Sequence, residues 1–358
     1  MPKPWILVTI DYPPMTGGVA RYLSDLAAAA KGDMRVIVPL EHPPTKEAVE
    51  RRPFFHKGVI RWWPLVRLMR DLGRQTDQNI LISHVLPIGT AAWIASFFCR
   101  LRYTILFHGL DLQLAKRSAW KRWLMRRIVG RAQTVCANSV FVAEDCRRTF
   151  ARIEPVLLTP GYVPHLLSQR AEARNSLNIA QNEIILLCVC RLIPRKGLDR
   201  VIEVLKELPP TIHFVVIGEG LDRDRLEALA KPLADRIQFL GEVADDVRDT
   251  WYAAADLFVF PVRKDGDDLE GYGIVCLEAA AAGLPIIVGQ NGGAPETVVP
   301  EETGLVVNAD DRAALTRAIQ RLVQDEALRK AMGERGRARV MREARWEDRW
   351  KTLSELSK

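Results

Sequence analysis

Short apolar runs alternate with longer amphipathic segments along the whole chain. Runs of this length, with room for a helix between most of them, are typical of buried parallel strands in βαβ units. The first series comprises residues 5–10, 35–38, 79–82, 103–107, 132–137 and 155–159. The second series comprises residues 184–190, 213–218, 237–240, 257–261, 285–289 and 304–307. The pattern predicts an α/β protein with two doubly wound, parallel-sheet domains.

A polar stretch near residues 168–182 separates the two series and predicts a linker near residues 163–172. Helical patterns follow the last predicted strand, at residues 310–324, 326–341 and 346–356. We expect a first domain over residues 1–168, a second over 169–340, and a terminal helix within 341–358. Composition alone allows that helix to cap its own domain or to cross back to the first.

The chain has the length and composition of an ordinary two-domain globular protein. It contains 358 residues, of which 48% are hydrophobic and 27% charged. Its longest nearly apolar run, residues 90–99, is much shorter than the roughly 20 residues that span a bilayer. The N-terminal apolar stretch runs straight into Asp11 without a cleavage site, so no signal peptide is expected.

The six cysteines show neither CxxC pairs nor clustering with histidine at metal-ligand spacing. We therefore expect a reducing cytoplasmic location and no structural metal. Cys188 and Cys190 lie on one predicted strand, and we expect their side chains to face opposite sides of the sheet.

Positive charge is concentrated in the first half of the chain. The whole protein has a formal net charge of +7. Residues 1–170 contain 25 Lys and Arg against 12 Asp and Glu, whereas the remaining residues contain 26 against 32. The asymmetry indicates that the first half meets something anionic: nucleic acid, a membrane surface or a phosphorylated substrate.

Two adjacent glycines, Gly17 and Gly18, open a predicted helix directly after the first strand. Glycine allows close backbone approach, and a helix N-terminus attracts anions, although a simple tight turn explains a lone Gly-Gly equally well. The dinucleotide-binding pattern GxGxxG is absent: 218–220 and 271–273 both lack its third glycine. A nicotinamide-dependent dehydrogenase is therefore poorly supported.

In the second domain, a strand runs directly into the basic loop RLIPRKG at residues 191–197. Arg191, Arg195 and Lys196 thus follow the carboxyl end of a strand, where open α/β sheets bind their ligands. Arginine and lysine together suit the oxygens of a diphosphate, while a solvated basic loop is the structural alternative.

Two acids stand eight positions apart in the segment EGYGIVCLEA, residues 270–279. Glu270 lies in a Gly-rich loop and Glu278 about one turn into the following helix, so both can project toward that helix's N-terminus. Two carboxylates there fit hydroxyl groups beside a diphosphate, although Glu278 as a surface or capping residue is the alternative.

These motifs, in this order, resemble glycosyltransferase family 4, the retaining GT-B enzymes with an EX7E motif. The resemblance covers essentially the whole chain. Residues 269–298 are most similar to mannosyltransferases acting on phosphatidylinositol mannosides, and lipopolysaccharide and exopolysaccharide enzymes share much of this segment. The resemblance implies two Rossmann-like domains facing a cleft, with acceptor bound by the first, nucleotide sugar by the second, and the terminal helix crossing back.

The resemblance also implies roles for single residues. Arg191 and Lys196 match the cations that neutralise the departing diphosphate, Glu270 the acid that contacts the transferred sugar, and Glu278 the acid that binds the ribose hydroxyls. His108 matches the active-site histidine beside the sugar, although a satisfied histidine at a strand end is the alternative. Backbone N–H groups of Gly271, Tyr272, Gly273, Ile274 and Val275 would complete the sugar and phosphate contacts, and Gly18 would reach the diphosphate.

The nucleotide base would lie near residues 239–246, where the Val243 backbone matches the family's base contact. Asp245 or Asp246 could accept hydrogen bonds from the N1–H and N2–H groups of guanine, which uracil lacks. This favours GDP-mannose as donor, although either acid could instead cap the helix that follows.

The resemblance implies retention by front-face attack, in which the leaving diphosphate takes the acceptor proton. Lys196 and Arg191 would stabilise the developing negative charge in place of a metal ion. The acidic stretch at residues 265–268 resembles a metal-binding DxD motif only superficially, and we expect no cofactor and no metal requirement.

Two stretches of the first domain interleave seven cations each with large aromatic residues, at 51–74 and 116–131. Such a composition is typical of a surface resting on anionic lipid headgroups, where each cation contributes about 1 kcal/mol. Solvated helices whose aromatic residues face the core are the alternative. Nucleic acid is not expected, because no recognised binding motif accompanies the charge.

The sequence and the resemblance together predict a retaining glycosyltransferase that transfers a hexose, mannose from GDP-mannose, to a membrane glycolipid such as a phosphatidylinositol mannoside. Its expected place is the inner face of the cytoplasmic membrane. A UDP-sugar-dependent enzyme of lipopolysaccharide or exopolysaccharide assembly is the alternative. More remote are a GT-B-like epimerase, which needs no acceptor, and a non-catalytic sensor, which would tolerate loss of His108 and Glu270.

Overall fold

The computed structural model describes residues 4–56, 61–75, 78–150, 152–165 and 167–356. The chain divides into two compact units, residues 1–161 with 345–358, and residues 162–344. The division at Gly161 falls earlier than the expected one at residue 168. Residue 166, within the predicted linker, and residues 57–60, within the first basic stretch, lie outside the described residues.

In the described part of the first unit, seven parallel strands form one sheet in the order β3-β2-β1-β4-β5-β6-β7. Their bounds are β1 Trp5–Val8, β2 Met34–Pro39, β3 Glu50–Arg52, β4 Asn79–Ile82, β5 Tyr103–Phe107, β6 Thr134–Ala137 and β7 Val156–Leu157. The central strands β1, β4 and β5 are buried at every position, as their continuous apolar runs predict.

Six helices join the described strands of the first unit. They are α1 Gly18–Ala29, α2 Trp63–Arg74, α3 Thr90–Ala95, α4 Leu110–Lys116, α5 Ala119–Val129 and α6 Val140–Thr149. A π-helical turn, Val85–Gly89, directly precedes α3. Leu65, Met69 and Leu72 on one face of α2 are buried, because apolar residues three and four positions apart share a helix face.

The second unit repeats the architecture with six described parallel strands in the order β10-β9-β8-β11-β12-β13. Their bounds are β8 Ile184–Val189, β9 Ile212–Ile217, β10 Ile237–Gly241, β11 Leu257–Phe260, β12 Ile286–Gly289 and β13 Gly304–Val307. The helices are α7 Arg170–Ser176, α8 Leu198–Leu205, α9 Arg223–Ala230, α10 Asp245–Ala254, α11 Ile274–Ala281, α12 Arg312–Gln324 and α13 Glu326–Glu343. The predicted doubly wound α/β class is confirmed.

The last helix, α14 (Trp346–Glu355), belongs to the first unit, where it packs against α1. Trp346 is buried, and its ring meets that of Tyr22 edge to face at a centroid distance of 5.0 Å. The chain therefore returns to its first unit after completing the second.

One sequence expectation about the second core is wrong. Cys188 and Cys190 do not face opposite sides, since their sulfur atoms lie 3.7 Å apart and form a hydrogen bond. The reason is that side chains alternate along a strand, so residues two positions apart point to the same face of the sheet, and Cys190, directly after β8, continues this alternation.

Candidate active site

The second sheet reverses its strand order between β8 and β11, which are neighbours at its centre. Crevices at such points, outside the carboxyl ends of the strands, are where open α/β sheets bind ligands. The basic loop follows β8, and the loop that carries Glu270 follows β11. The topology thus brings the two predicted motifs to the same edge of the sheet.

Buried opposite charges meet at this edge. Lys196 Nζ donates a hydrogen bond to Glu270 Oε2 at 2.5 Å, and Arg195 Nη1 donates to the same oxygen. Arg195 Nε donates to Asp268 Oδ2 at 3.0 Å. The Lys196 ammonium also lies 4.4 Å from the ring centroid of Phe260, which adds a cation–π contact. We call these four charged residues, Arg195, Lys196, Asp268 and Glu270, the ionic cluster.

Glu270 is ionised in this setting. Burial by itself raises the pKa of the Glu270 carboxyl, but the attraction of Lys196 and Arg195 outweighs burial and lowers that pKa below its ordinary value. Oε2 accepts both cationic donors, whereas none of the described residues donates to Oε1. One carboxylate oxygen therefore remains to accept a hydrogen bond from a ligand hydroxyl.

Arg191, which the sequence paired with Lys196, lies apart from these contacts. Its side chain is exposed, and within the described ranges no carboxylate or hydrogen-bond acceptor engages it. Arg195 contacts Glu270 instead, because the 3-10 turn Pro194–Lys196 places Arg195 and Lys196 together, and both are buried. Arg191 is thus a cation at the carboxyl end of β8 that has no partner among the described residues.

Glu278 is buried on α11 and receives a hydrogen bond from Tyr252 Oη at 2.9 Å. Tyr252 lies on α10 and is fully buried, and burial raises the pKa of its hydroxyl well above the ordinary value, so it acts as a donor. Sequence reasoning missed Tyr252, since no motif connects it to Glu278. The two acids of the EX7E pair are therefore held by different partners.

The loop from Gly271 to Gly273 leads into α11, which begins at Ile274 and continues through Val275. Gly273 is the N-cap residue and has a φ of 99°, a left-handed conformation that favours glycine. None of the described side chains caps this N-terminus, and Tyr272 in the loop is buried. Backbone N–H groups at the start of α11 are therefore available to a ligand.

The proposed base-binding residues lie at the start of α10. Val243 is half-buried against the second core, and Asp245 and Asp246 occupy the first turn. The Asp245 side chain is largely exposed and pairs with Arg248 at 2.6 Å. Ala244, not an aspartate, is the N-cap residue, so neither acid caps the helix.

In the first unit, Gly17 and Gly18 form the exposed N-terminus of α1. Gly17 is the N-cap residue with a φ of 137°, and no side chain caps the helix or adds acidic charge to its first turn. The helix dipole and the free N–H groups are thus unopposed at this end.

His108 directly follows β5, and its ring meets Tyr22 edge to face at 5.3 Å. Burial, reinforced by the nearby His84, lowers the pKa of His108 to about 3, so the imidazole is neutral at physiological pH. Its Nε2 atom is buried and has no hydrogen-bond partner in the described part of the chain. The backbone N–H of His108 donates to Asp111 at 3.3 Å.

Sequence reasoning also missed two residues close to His108. Asp11, after β1, contacts His84, after β4, at 3.2 Å. Both residues come shortly after predicted strands. This position could have identified them, because the carboxyl ends of parallel strands lie at one edge of the sheet.

Large aromatic residues are exposed in the second basic stretch and directly after α3. The aromatic patch consists of Phe97, Phe98, Trp120 and Trp123, whose exposed fractions are 59, 69, 61 and 53%. The Arg127 guanidinium lies 5.4 Å from the Trp123 ring centroid and that of Arg131 lies 4.7 Å from the Phe97 ring centroid. In the first basic stretch, Phe54 is fully buried and Phe55 and Trp62 pack against the core, whereas Trp63 is 40% exposed. None of the described helices combines the length and apolarity that a membrane span requires.

Comparison with known proteins agrees with the class that this fold and site define, the two-domain GT-B glycosyltransferases. The family model "Glycosyl transferases group 1" matches residues 169–339, and "Glycosyltransferase Family 4" matches residues 16–161. The chain belongs to glycosyltransferase family 4, as its motifs predicted.

Three similar proteins illustrate this membership. A GDP-mannose-dependent alpha-(1-6)-phosphatidylinositol monomannoside mannosyltransferase of Mycobacterium tuberculosis is 30% identical over 98% of this chain and 95% of its own. A lipopolysaccharide core biosynthesis mannosyltransferase of Rhizobium leguminosarum bv. viciae is 29% identical over 61% of each chain. The solved sucrose-phosphate synthase of Thermosynechococcus elongatus superposes with a TM-score of 0.83 at 24% identity, covering 99% of this chain and 98% of its own.

Proposed function

We propose that this glycosyltransferase transfers mannose from GDP-mannose, with retention, to a membrane glycolipid such as a phosphatidylinositol mannoside. The ionic cluster is the observation that carries the proposal. It joins buried cations suited to a diphosphate with a carboxylate that keeps one oxygen for a sugar hydroxyl. The name of the Mycobacterium tuberculosis relative supports the choice of donor and acceptor.

The donor is held by charge and by hydrogen bonds. Lys196 and Arg191 neutralise the diphosphate, and Arg191 contributes a cation that no carboxylate in the described part of the chain engages. Glu270 accepts from sugar hydroxyls through Oε1, and Glu278, held by Tyr252, accepts from the ribose hydroxyls. Backbone N–H groups at the start of α11 complete the contacts.

The reaction proceeds on one face of the sugar. The acceptor oxygen bonds to the anomeric carbon while the bond to the diphosphate breaks, and the acceptor proton passes to the leaving diphosphate. Lys196 and Arg191 stabilise the negative charge that develops there, which removes the need for a metal ion. His108, held neutral, offers its unpartnered Nε2 to the sugar.

Guanine selectivity is assigned to the start of α10. The Asp245 side chain extends into solvent. Its carboxylate can release Arg248 and accept hydrogen bonds from the N1–H and N2–H groups of guanine instead. A second candidate, transfer in lipopolysaccharide or exopolysaccharide assembly with a UDP-sugar, is supported by shorter matches to lipopolysaccharide core biosynthesis enzymes, whose names give no nucleotide donor.

The acceptor places the enzyme at a membrane surface. We assign the contact to the aromatic patch, because Trp and Phe beside Arg suit the interface of an anionic bilayer. The enzyme is thus a peripheral protein of the inner face of the cytoplasmic membrane.

The proposal is tested by thermal-shift titration with GDP, UDP, ADP, GDP-mannose and UDP-glucose, followed by transfer assays with the donors that bind. We expect GDP and GDP-mannose to raise the melting temperature by mass action, and Lys196→Ala to weaken this effect at least tenfold in apparent affinity. Lys206→Ala, an exposed lysine at the end of α8, is the matched control.

Each other outcome changes the conclusion in a defined way. Selective stabilisation by UDP supports the polysaccharide enzyme, and stabilisation without transfer to any lipid acceptor supports an epimerase or sensor. The configuration of the product, read by NMR of its anomeric proton, tests retention, and loss of activity with a chelator contradicts metal independence.

A further inference from the structure

The first unit holds a polar network that the proposed donor chemistry does not use. Strands β1 and β4 are neighbours where the strand order of the first sheet reverses. Asp11 follows β1, His84 follows β4, and Asp11 Oδ2 lies 3.2 Å from His84 Nε2. The pair therefore lies at the ligand-binding edge of this sheet, as the ionic cluster does in the second.

Two hydroxyl groups support the pair from the core side. Ser83 Oγ lies 2.7 Å from His84 Nδ1 and donates to Thr9 Oγ1 at 2.9 Å. Thr9 Oγ1 in turn donates to the backbone carbonyl of Asp11 at 3.0 Å. Ser83 and Thr9 are fully buried. The His84 ring is thus fixed between a buried hydroxyl and a carboxylate.

Both ring nitrogens of His84 are engaged in this network, Nδ1 with Ser83 Oγ and Nε2 with Asp11 Oδ2. The hydroxyls of Ser83 and Thr9 continue the network to the backbone carbonyl of Asp11 itself. The Asp11 carboxylate is therefore held in one orientation from two sides.

Asp11 is the member of the network that a ligand can reach. Its side chain is 36% exposed, against 14% for His84. A carboxylate has about four lone-pair sites, more than the contact with His84 uses. A carboxylate attracts hydroxyl groups and repels phosphate oxygens, so this edge suits a different substrate from the cations of the ionic cluster.

We propose that Asp11, oriented by His84, binds an acceptor hydroxyl and aims its oxygen for transfer. This inference rests on the proposed function, because only a transferase requires a hydroxyl-bearing acceptor. His84, Ser83 and Thr9 act through Asp11 as positioning residues. Asp11 accepts the hydroxyl hydrogen bond without keeping the proton, which leaves with the diphosphate.

Steady-state transfer from GDP-mannose to phosphatidylinositol monomannoside tests the inference. We expect Asp11→Ala to raise the acceptor KM at least tenfold, with a smaller rise in Asp11→Asn and in His84→Gln. The KM for GDP-mannose and the slow hydrolysis of GDP-mannose by water are expected to stay within twofold, since neither needs the acceptor. Asp71→Ala, an exposed carboxylate on α2, is the matched control.

An unchanged acceptor KM in both Asp11 variants overturns the inference, as does an equal rise of donor and acceptor KM, which indicates a general structural effect. If His84→Gln fails to fold, the acceptor KM of the two Asp11 variants still tests the inference, because Asp11 is more exposed than His84. A wild-type enzyme that binds no nucleotide and transfers no mannose contradicts the proposed function instead, before Asp11 is considered.

Discussion

Among single residues, Glu270 is the acid on which the ionic cluster of the second unit is centred. Two buried cations converge on one of its oxygens, and Asp268 supplies a second negative charge beside Arg195. Desolvation alone would favour the protonated acid, but the cations reverse this preference and lower the Glu270 pKa. Removing the carboxylate charge would leave Lys196 without its ionic partner in a buried site.

Stability should therefore depend on the ionisation of Glu270. Its pKa is lower in the folded than in the unfolded state, so its ion pairs contribute fully above the ordinary value of 4.5. That contribution is lost as the pH falls through the folded pKa. We expect Glu270→Gln to lower the free energy of unfolding at pH 7 by about 3 kcal/mol and to flatten its dependence on pH from pH 7 down through the ordinary glutamate value of 4.5 and below.

Urea unfolding across this pH range measures both effects. Glu334→Gln, an exposed glutamate of α13, should leave the free energy and its pH dependence as in the wild type. Parallel curves for the wild type and Glu270→Gln would contradict the electrostatic role assigned to Glu270.

Residue contacts were only partly predictable from the sequence. The motifs identified Lys196, Glu270 and Glu278 as candidates because their spacing is local. Arg195 could not be distinguished from Arg191, since the choice depends on a 3-10 turn inside the loop. Asp11 and His84 are 73 positions apart, and only the order of strands in the sheet brings them together.

Among the elements, the start of α11 depends on the backbone of Gly273. Its φ of 99° is strained for other residues, and an added Cβ would lie 3.0 Å from Cε1 of Phe260. Phe260 also contacts the Lys196 ammonium, so a shift of this ring would disturb the ionic cluster. The turn and the charges are therefore coupled through one aromatic side chain.

We expect Gly273→Ala to destabilise the protein by about 1–3 kcal/mol, because it forces a left-handed conformation on alanine. Apparent affinity for GDP should also fall, since the N–H groups of α11 and the Phe260 ring both move. Thermal melting with and without GDP measures both. Gly283→Ala is the matched control: it has a φ of 81° but nothing within 4 Å of its added Cβ. Equal nucleotide affinity in the two variants would contradict the coupling.

Elements with apolar periodicity were predicted well, and polar ones were not. The predicted strand at residues 304–307 coincides with β13, and the helices α12, α13 and α14 begin or end within two residues of their predicted limits. Strand β3 was missed, because Glu50–Arg52 carries no apolar residue and pairs only with β2 at the sheet edge. Strand β3 is defined by its backbone hydrogen bonds, and a sequence pattern does not report these.

At the scale of the whole molecule, cations and exposed aromatic residues share the first unit. The excess of Lys and Arg falls within residues 1–170, and the aromatic patch belongs to the same unit. Long-range attraction from the cations and local insertion of Phe and Trp are different forces with different dependence on salt. Attraction weakens as the Debye length falls from about 10 Å at 0.1 M to about 3 Å at 1 M salt, whereas apolar burial persists.

Membrane binding should therefore respond separately to salt and to substitution of the patch. We expect co-sedimentation with vesicles containing anionic lipid, little with neutral vesicles, and a several-fold loss of binding between 0.1 and about 1 M salt. The double variant Phe98→Ser/Trp120→Ser should remove most of the binding that remains at high salt. Leu221→Ser, fully exposed in the second unit, controls for a general loss of surface hydrophobicity. If the double variant sediments like the wild type at every salt concentration, the bilayer contact lies on another surface of the protein.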